Sequence, residues 1–186
     1  LDHAPLRTWL MENLKNFSCT SVLNTFAFTG SLSVACALGG AQELVNLDLS
    51  RPALEWSKKN WLLNSLNETR LDTVHGDYFE WLPRWSKKGR SFDMVILDQP
   101  SFSRGNKGSF STAKDLLRLH LAALKVLKTN ALLVTSINSA SVSENTMMRD
   151  IALAFKESGR KGKLLHRVEM PKTFPLKAEP HSTESL

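Results

Sequence analysis

The run Phe92-Asp93-Met94-Val95-Ile96-Leu97 is nearly all apolar, and it ends abruptly in Asp98. A strand can lack polar alternation in this way when helices cover both of its faces. That condition points to a parallel sheet inside a helical coat, because parallel neighbours are joined by helical crossovers. The rest of the chain agrees with this reading, since strand and helix signals alternate from end to end without a repeat or a low-complexity linker. The predicted fold is therefore α/β, a Rossmann-like, doubly wound, mostly parallel sheet, in one domain over residues 1–186.

The pattern predicts a leading helix over 6–14 and a first strand over 21–24. Leu32, Ala35 and Cys36 recur at helical spacing, with Thr29 or Ser31 as candidate caps and Gly39-Gly40 as the stop. A second strand is expected over 43–49. Pro52 then opens a helix with Leu54, Trp61, Leu62 and Leu66 on one stripe. A third strand over 72–75 leads to Gly76-Asp77 and a short helix over 78–85. After the strand over 92–97 come a polar loop over 101–110, a helix over 112–127, a strand over 131–135, a helix over 143–157 and a sixth strand over 164–170.

In doubly wound sheets a ligand sits outside the carboxyl ends of the strands, where the strand order reverses. The residues to examine are therefore Asn24 to Gly30, Asp48, Asp77 and Asp98. Gly30 lets a ligand approach the backbone closely. The G-x-G-x-x-G of a dinucleotide site is absent, which argues against NAD or FAD. Asp48 can accept hydrogen bonds from both hydroxyls of an adenosine ribose, or it can serve as the N-terminal charge of the next helix. Asp77 is placed to meet an adenine amino group, with Tyr78 or Phe79 packing beside the ring. Gly-Asp is also a common turn.

The formal charge is +6, and part of the surplus is clustered at Arg84, Lys87, Lys88 and Arg90, at Arg104 and Lys107, and at Arg160, Lys161, Lys163 and Arg167. Basic faces attract polyanions, nucleic acid among them, although a solvated surface has the same composition. No apolar run is long enough to span a bilayer. Two cysteines in no metal-like spacing predict a reduced, cytoplasmic protein without a zinc site. The start at Leu1-Asp2-His3, without an initiator Met, leads us to expect a piece of a longer protein.

Several strings carry a resemblance. Val22-Leu23-Asn24-Thr25-Phe26-Ala27-Phe28-Thr29-Gly30 resembles the V-L-N-L-F-x-Y-T-G of large-subunit ribosomal RNA methyltransferases. The segments Ala37 to Ala41, Val45 to Ser50, Ala53 to Trp56 and Gly76 to Leu82 are similar to their next motifs, and 92–103 is similar to F-D-L-V-I-L-D-P-P-S-F-S. The resemblance runs in order over nearly the whole chain. It implies a class I methyltransferase fold, S-adenosylmethionine as cofactor and a base in ribosomal RNA as acceptor.

It also implies roles. Asn24, Phe26, Ala27, Thr29 and Gly30 would hold the methionine end. Asp48 and Leu49 would hold the ribose, and Asp77 and Tyr78 the adenine. Asp2 and Arg7 would lie near the cofactor, in a segment similar to L-D-x-R-x-x-R. Asp98, with the backbone beside Pro100, would touch cofactor and target base and act as the catalytic pair. From their place in the chain rather than from the resemblance, Phe102 would stack on a flipped base, Arg104 and Lys107 would help hold RNA phosphates, and Asn138 would bind the substrate.

Four departures from the pattern stand out. Ala4 replaces the first Arg, and Gln99 replaces the first Pro of D-P-P. The family's last strand is expected to be missing. The separate RNA-binding domain that normally precedes this one is likewise expected to be missing.

Family members that methylate cytosine C5 carry a Cys after the fifth strand, because C5 becomes nucleophilic only once a thiolate has added at C6. Here the matching position is Asn138, in Thr135-Ser136-Ile137-Asn138-Ser139. A ring nitrogen such as guanine N7 is already a nucleophile and needs chiefly positioning. The expected product is therefore methylated at a ring nitrogen.

His75, His120 and His166 read as structural or exposed, and His3 carries no signal of its own. Trp56, Trp61, Trp81 and Trp85 read as core or half-buried packing. Three other functions remain open on the sequence: methyl transfer to a protein or small molecule, a non-catalytic binding module, and an NAD-dependent dehydrogenase.

Overall fold

The computed structural model describes residues 3–99, 102–105, 108–137 and 142–168. The elements in chain order are α1 Ala4–Asn13, β1 Ser21–Thr25, α2 Ser31–Leu38, β2 Glu43–Asp48, α3 Arg51–Leu63, β3 Leu71–His75, α4 Tyr78–Lys87 and β4 Phe92–Gln99. They are followed by β5 Phe102–Gly105, β6 Gly108–Ser111, α5 Thr112–Leu124, β7 Leu127–Ile137 and α6 Glu144–Glu157. Five strands form one sheet in the order β3-β2-β1-β4-β7, and every pairing within it is parallel.

Alternate residues of each central strand feed two cores. Val22, Leu44, Met94 and Ile96 pack with Leu6, Leu10, Leu32, Cys36 and Trp61 from α1, α2 and α3. Leu23, Val45, Val95 and Leu97 pack with Leu82, Trp85, Leu119 and Ala154 from α4, α5 and α6. Helices on both faces explain why β4 needs no polar alternation. The chain runs outward from β1 through β2 to β3, then returns to place β4 on the other side of β1. The sheet reverses its order between β1 and β4, so the crevice at their carboxyl ends is the natural ligand position.

The structure corrects several expectations. Residues 102–105 and 108–111, expected to lie in a polar loop, pair as the antiparallel strands β5 and β6. Residues 164–168 form no strand. Leu164, Leu165 and Val168 are exposed there, and an extended segment without a ladder partner gains nothing from strand geometry.

Leu62 is 50% exposed, and the buried residues of α3 are Ala53, Leu54, Ser57 and Trp61. Trp56 is exposed as well and carries the Lys59 ammonium over its ring. The cap of α2 is neither Thr29 nor Ser31. It is Gly30, at φ 71, a conformation that glycine adopts without steric cost. A Cβ at Gly30 would also lie 2.8 Å from both Asn46 Nδ2 and Ser57 Cβ. α5 stops at Leu124, and β7 begins at Leu127 with an irregular register opposite Phe92 and Met94. Asn130 there takes a φ of 55.

Candidate functional site

The crevice is built from the turns that follow β1, β2, β3 and β4. After β1 the chain makes a strained turn: Phe26 and Phe28 have φ values of 54 and 48, ahead of Gly30 at 71. Bulky residues seldom adopt that region, and such strain persists only where its surroundings enforce it. Here Ala27 N donates to Leu47 O at 3.1 Å, Gly30 N to Ala27 O at 2.8 Å and Asn60 Nδ2 to Thr29 O at 2.9 Å. The Phe26 ring stacks on Tyr78 at 5.3 Å.

Asp48 ties this turn to the next. Its Oδ2 accepts from Phe28 N and its Oδ1 from Ser50 N, both at 2.8 Å. Ser50 in turn caps α3 by accepting from Ala53 N. Two of the lone pairs on the half-buried carboxylate are thus used, and an ionised carboxylate has about four acceptor positions. Leu49 is 36% exposed beside it, with its carbonyl 3.0 Å from His75 Nε2. Gly76 N donates to Asp48 O, which draws the β3 turn alongside.

Asp77 caps α4 by accepting from Phe79 N at 2.7 Å and is only 9% exposed. Tyr78 is 4% exposed, and its hydroxyl donates to Leu119 O at 2.8 Å. Its ring is therefore spent on the core, and what it can present to a ligand is its backbone at the first turn of α4. Asn24 lies beneath the first turn, 2% exposed, and donates to Ser33 Oγ, which donates onward to Asn46 Oδ1. The Asn24 side chain supports the loop from below and does not line it.

At the end of β4, Asp98 Oδ1 lies 3.0 Å from His3 Nε2 and also accepts from Ser136 Oγ at the end of β7. His3 precedes α1, and Arg7 follows one turn later, half-buried. Neither His3 nor Ser136 was identified as a site residue from the sequence. Their one signal was position: His3 adjoins the segment of Asp2 and Arg7, and Ser136 adjoins Asn138.

Asp2, Pro100, Lys107 and Asn138 lie outside the described residues, as do the side chains of Phe102 and Arg104. Their proposed contacts rest on the sequence alone. The backbone of Phe102–Gly105 is described, and it puts the start of the hairpin directly after the crevice strand β4.

The residues present fit an adenosine-type cofactor. A carboxylate free to accept more hydrogen bonds ends β2, and a half-exposed Leu49 adjoins it. A second capped carboxylate, Asp77, follows β3. The turn after β1 lacks the glycine-rich phosphate cradle of a dinucleotide site. Among the described residues no cluster of His, Cys, Asp and Glu could hold a metal ion, and no helix is long and apolar enough to cross a membrane.

Comparisons with known proteins agree with this geometry. The sequence model for S-adenosylmethionine-dependent methyltransferases matches residues 1–183. The chain is 35% identical over 153 residues to ribosomal RNA large subunit methyltransferase K of Neisseria meningitidis serogroup B, covering 78% of this chain and 43% of that protein. It is 30% identical over 155 residues to ribosomal RNA large subunit methyltransferase I of Tolumonas auensis, covering 83% of this chain and 39% of that protein. The chain thus spans less than half the length of these relatives. The crystal structure of SMU.776 complexed with SAH is similar, with a TM-score of 0.85 and 30% identity, covering 95% of this chain and 45% of that one.

Proposed function

The chain belongs to the family of S-adenosylmethionine-dependent methyltransferases, and on that premise we propose that it methylates a base of large-subunit ribosomal RNA at a ring nitrogen such as guanine N7. The relatives' names favour the RNA. The observation that favours the nitrogen is where the two cysteines lie.

Cytosine C5 chemistry needs a thiolate beside the acceptor. Cys19 precedes β1, at the amino edge of the sheet, and is buried. Burial, with the Asp93 charge adding and Lys128 opposing, pushes its thiol up to about 12. Cys36 is wholly buried in α2, and burial raises its thiol as well. Neither thiol is at the carboxyl ends of the strands, and both resist ionisation. A nucleophilic ring nitrogen needs no such group.

The cofactor supplies a methyl group on a positively charged sulfur. The chain's own part is positioning. Asp48 would accept from the ribose hydroxyls, and the first turn of α4, behind Asp77, would meet the adenine. The strained turn 26–30 would hold the methionine end. Asp98, held by His3 and Ser136, would accept a hydrogen bond from the edge of the acceptor base. The hairpin after β4, with Arg104 and Lys107, would contact RNA phosphates.

The test is methylation of deproteinised large-subunit ribosomal RNA, followed by nuclease digestion and mass spectrometry of the nucleosides. Methylguanosine labelled at a ring nitrogen is the expected product. C5-methylcytidine would overturn the nitrogen assignment, and no methylated nucleoside from a chain that binds S-adenosylmethionine would overturn the RNA.

A further inference from the structure

Four residues of α4 and its C-terminal turn, Trp81, Arg84, Trp85 and Lys88, follow one another at the spacing that places side chains along one helix face. With Arg90 they line a shallow groove. Its upper end adjoins the crevice. Trp81 lies so close on Gly76 that a Cβ there would collide with the indole ring, and Gly76 immediately precedes Asp77. Its lower end reaches the opposite edge of the sheet, where Arg90 pairs with Glu43 at 3.2 Å and Asp72 at 3.9 Å, near the starts of β2 and β3.

Two features set this groove apart from a solvated basic face. The first is aromatic surface beside the cations. The Trp81 and Trp85 rings meet at 5.3 Å, Arg84 lies 5.5 Å over Trp81, and Arg90 lies over both Trp85 and Phe92. Trp81 is half-buried, so part of its ring is open, while Trp85 is core and forms the floor. The second is a surplus of positive charge. Among the described residues no carboxylate lines the groove. Glu43 and Asp72 are engaged with Arg90, whereas Arg84 and Lys88 line the groove and are exposed.

We propose that this groove is a second nucleic-acid contact, which holds a single-stranded segment of RNA with a base against Trp81 and phosphates on Arg84 and Lys88. Flat rings with an adjacent guanidinium suit bases, and a row of cations suits the phosphate backbone. An acidic peptide would satisfy the charges and leave the open ring unused. The site is separate from the methyl-transfer crevice and does not depend on which atom is methylated there.

The experiment titrates the chain with a labelled single-stranded RNA of about 12 nucleotides, within the usual footprint of such surfaces. Fluorescence anisotropy is read over a series of salt concentrations, beside calorimetric titration with S-adenosylmethionine. In the double variant Arg84→Gln/Lys88→Gln the log–log salt slope should become shallower by about 0.7 for each phosphate that is no longer neutralised. Trp81→Ala should weaken RNA binding about tenfold, and Trp81→Phe should restore most of it. Affinity for S-adenosylmethionine should stay unchanged in the double variant, which guards against its misfolding. Equal binding of heparin and RNA with no effect at Trp81 would overturn the RNA assignment in favour of a general polyanion surface. An unchanged salt slope in the double variant would overturn the groove itself, and a loss confined to Arg104 and Lys107 variants would leave the crevice as the RNA-binding surface.

Discussion

His3 and Asp98 stand 95 residues apart in the chain, yet the imidazole Nε2 lies 3.0 Å from the carboxylate Oδ1. Ser136 donates to the same oxygen from β7. The start of α1 and the ends of β4 and its neighbour β7 are thereby joined at the acceptor side of the crevice.

This arrangement predicts that His3 works through Asp98. His3→Ala should lower methyl transfer to large-subunit ribosomal RNA about tenfold, as for the loss of one hydrogen bond to a charged group. His3→Gln, which keeps a donor, should retain most of the activity. Affinity for S-adenosylmethionine, measured by calorimetry, should change less than turnover does. A fall in cofactor affinity with turnover preserved would assign His3 to the cofactor instead.

Asp48 should be the residue on which cofactor affinity depends most. Losing two hydrogen bonds from a carboxylate to ribose hydroxyls corresponds to a weakening of about a hundredfold or more. Calorimetric titration of Asp48→Ala checks this, with Asp48→Asn as the companion variant. Asparagine keeps one acceptor oxygen for the turn, so it should preserve the local structure better while still binding the cofactor weakly. Normal affinity in both variants would remove Asp48 from the site.

At the opposite edge of the sheet, Asp93 predicts a pH dependence of stability. Burial pushes its carboxyl up, but the Lys128 ammonium and hydrogen bonds from Ser21 and Thr20 outweigh this and hold it well below the ordinary carboxylate range. The folded protein therefore keeps Asp93 ionised at pH values where the unfolded chain takes up a proton. Its contribution is complete above the unfolded value of about 3.9 and is lost as the pH falls below it. Thermal melts between about pH 6 and pH 3 should show a shallower acid loss for Asp93→Asn than for the parent chain. Parallel curves would show that other carboxylates govern the acid limb.

Gln99 is 1% exposed, and among the described residues neither polar atom of its amide finds a hydrogen-bond partner. Buried polar atoms without partners destabilise a fold, whereas an apolar group of similar shape does not. Gln99→Leu should therefore raise the melting temperature by about 3 °C, from about 1 kcal/mol of relief in a chain of this size. A lower melting temperature would mean that the amide is bonded in solution.

The fold class and the floor of the site were legible in the sequence because their signals are local. The apolar run of β4 announced a strand covered on both faces, and Asp48 and Asp98 announced strand ends because a carboxylate follows each apolar run, while Asp77 was marked by its Gly-Asp turn. Patterns of two or four residues carry that information, and the doubly wound order follows from alternation and handedness.

What escaped depended on partners far away in sequence. Nothing near Tyr78 shows that its hydroxyl meets the Leu119 carbonyl, or that its ring lies under Phe26. Nothing near Trp56 shows that it faces solvent while Trp61, one turn and a residue along the same helix, is buried. Residues 164–168, the described part of the strand expected over 164–170, had an adequate pattern, but a strand also needs a neighbour. The sequence by itself determined the helices and the five strands of the parallel sheet, since these follow from local backbone preference and hydrophobic period. Only the tertiary structure decided that His3 reaches Asp98 and that Trp81, Arg84 and Lys88 share one groove, because those meetings depend on how helices cross the sheet and how its strands align.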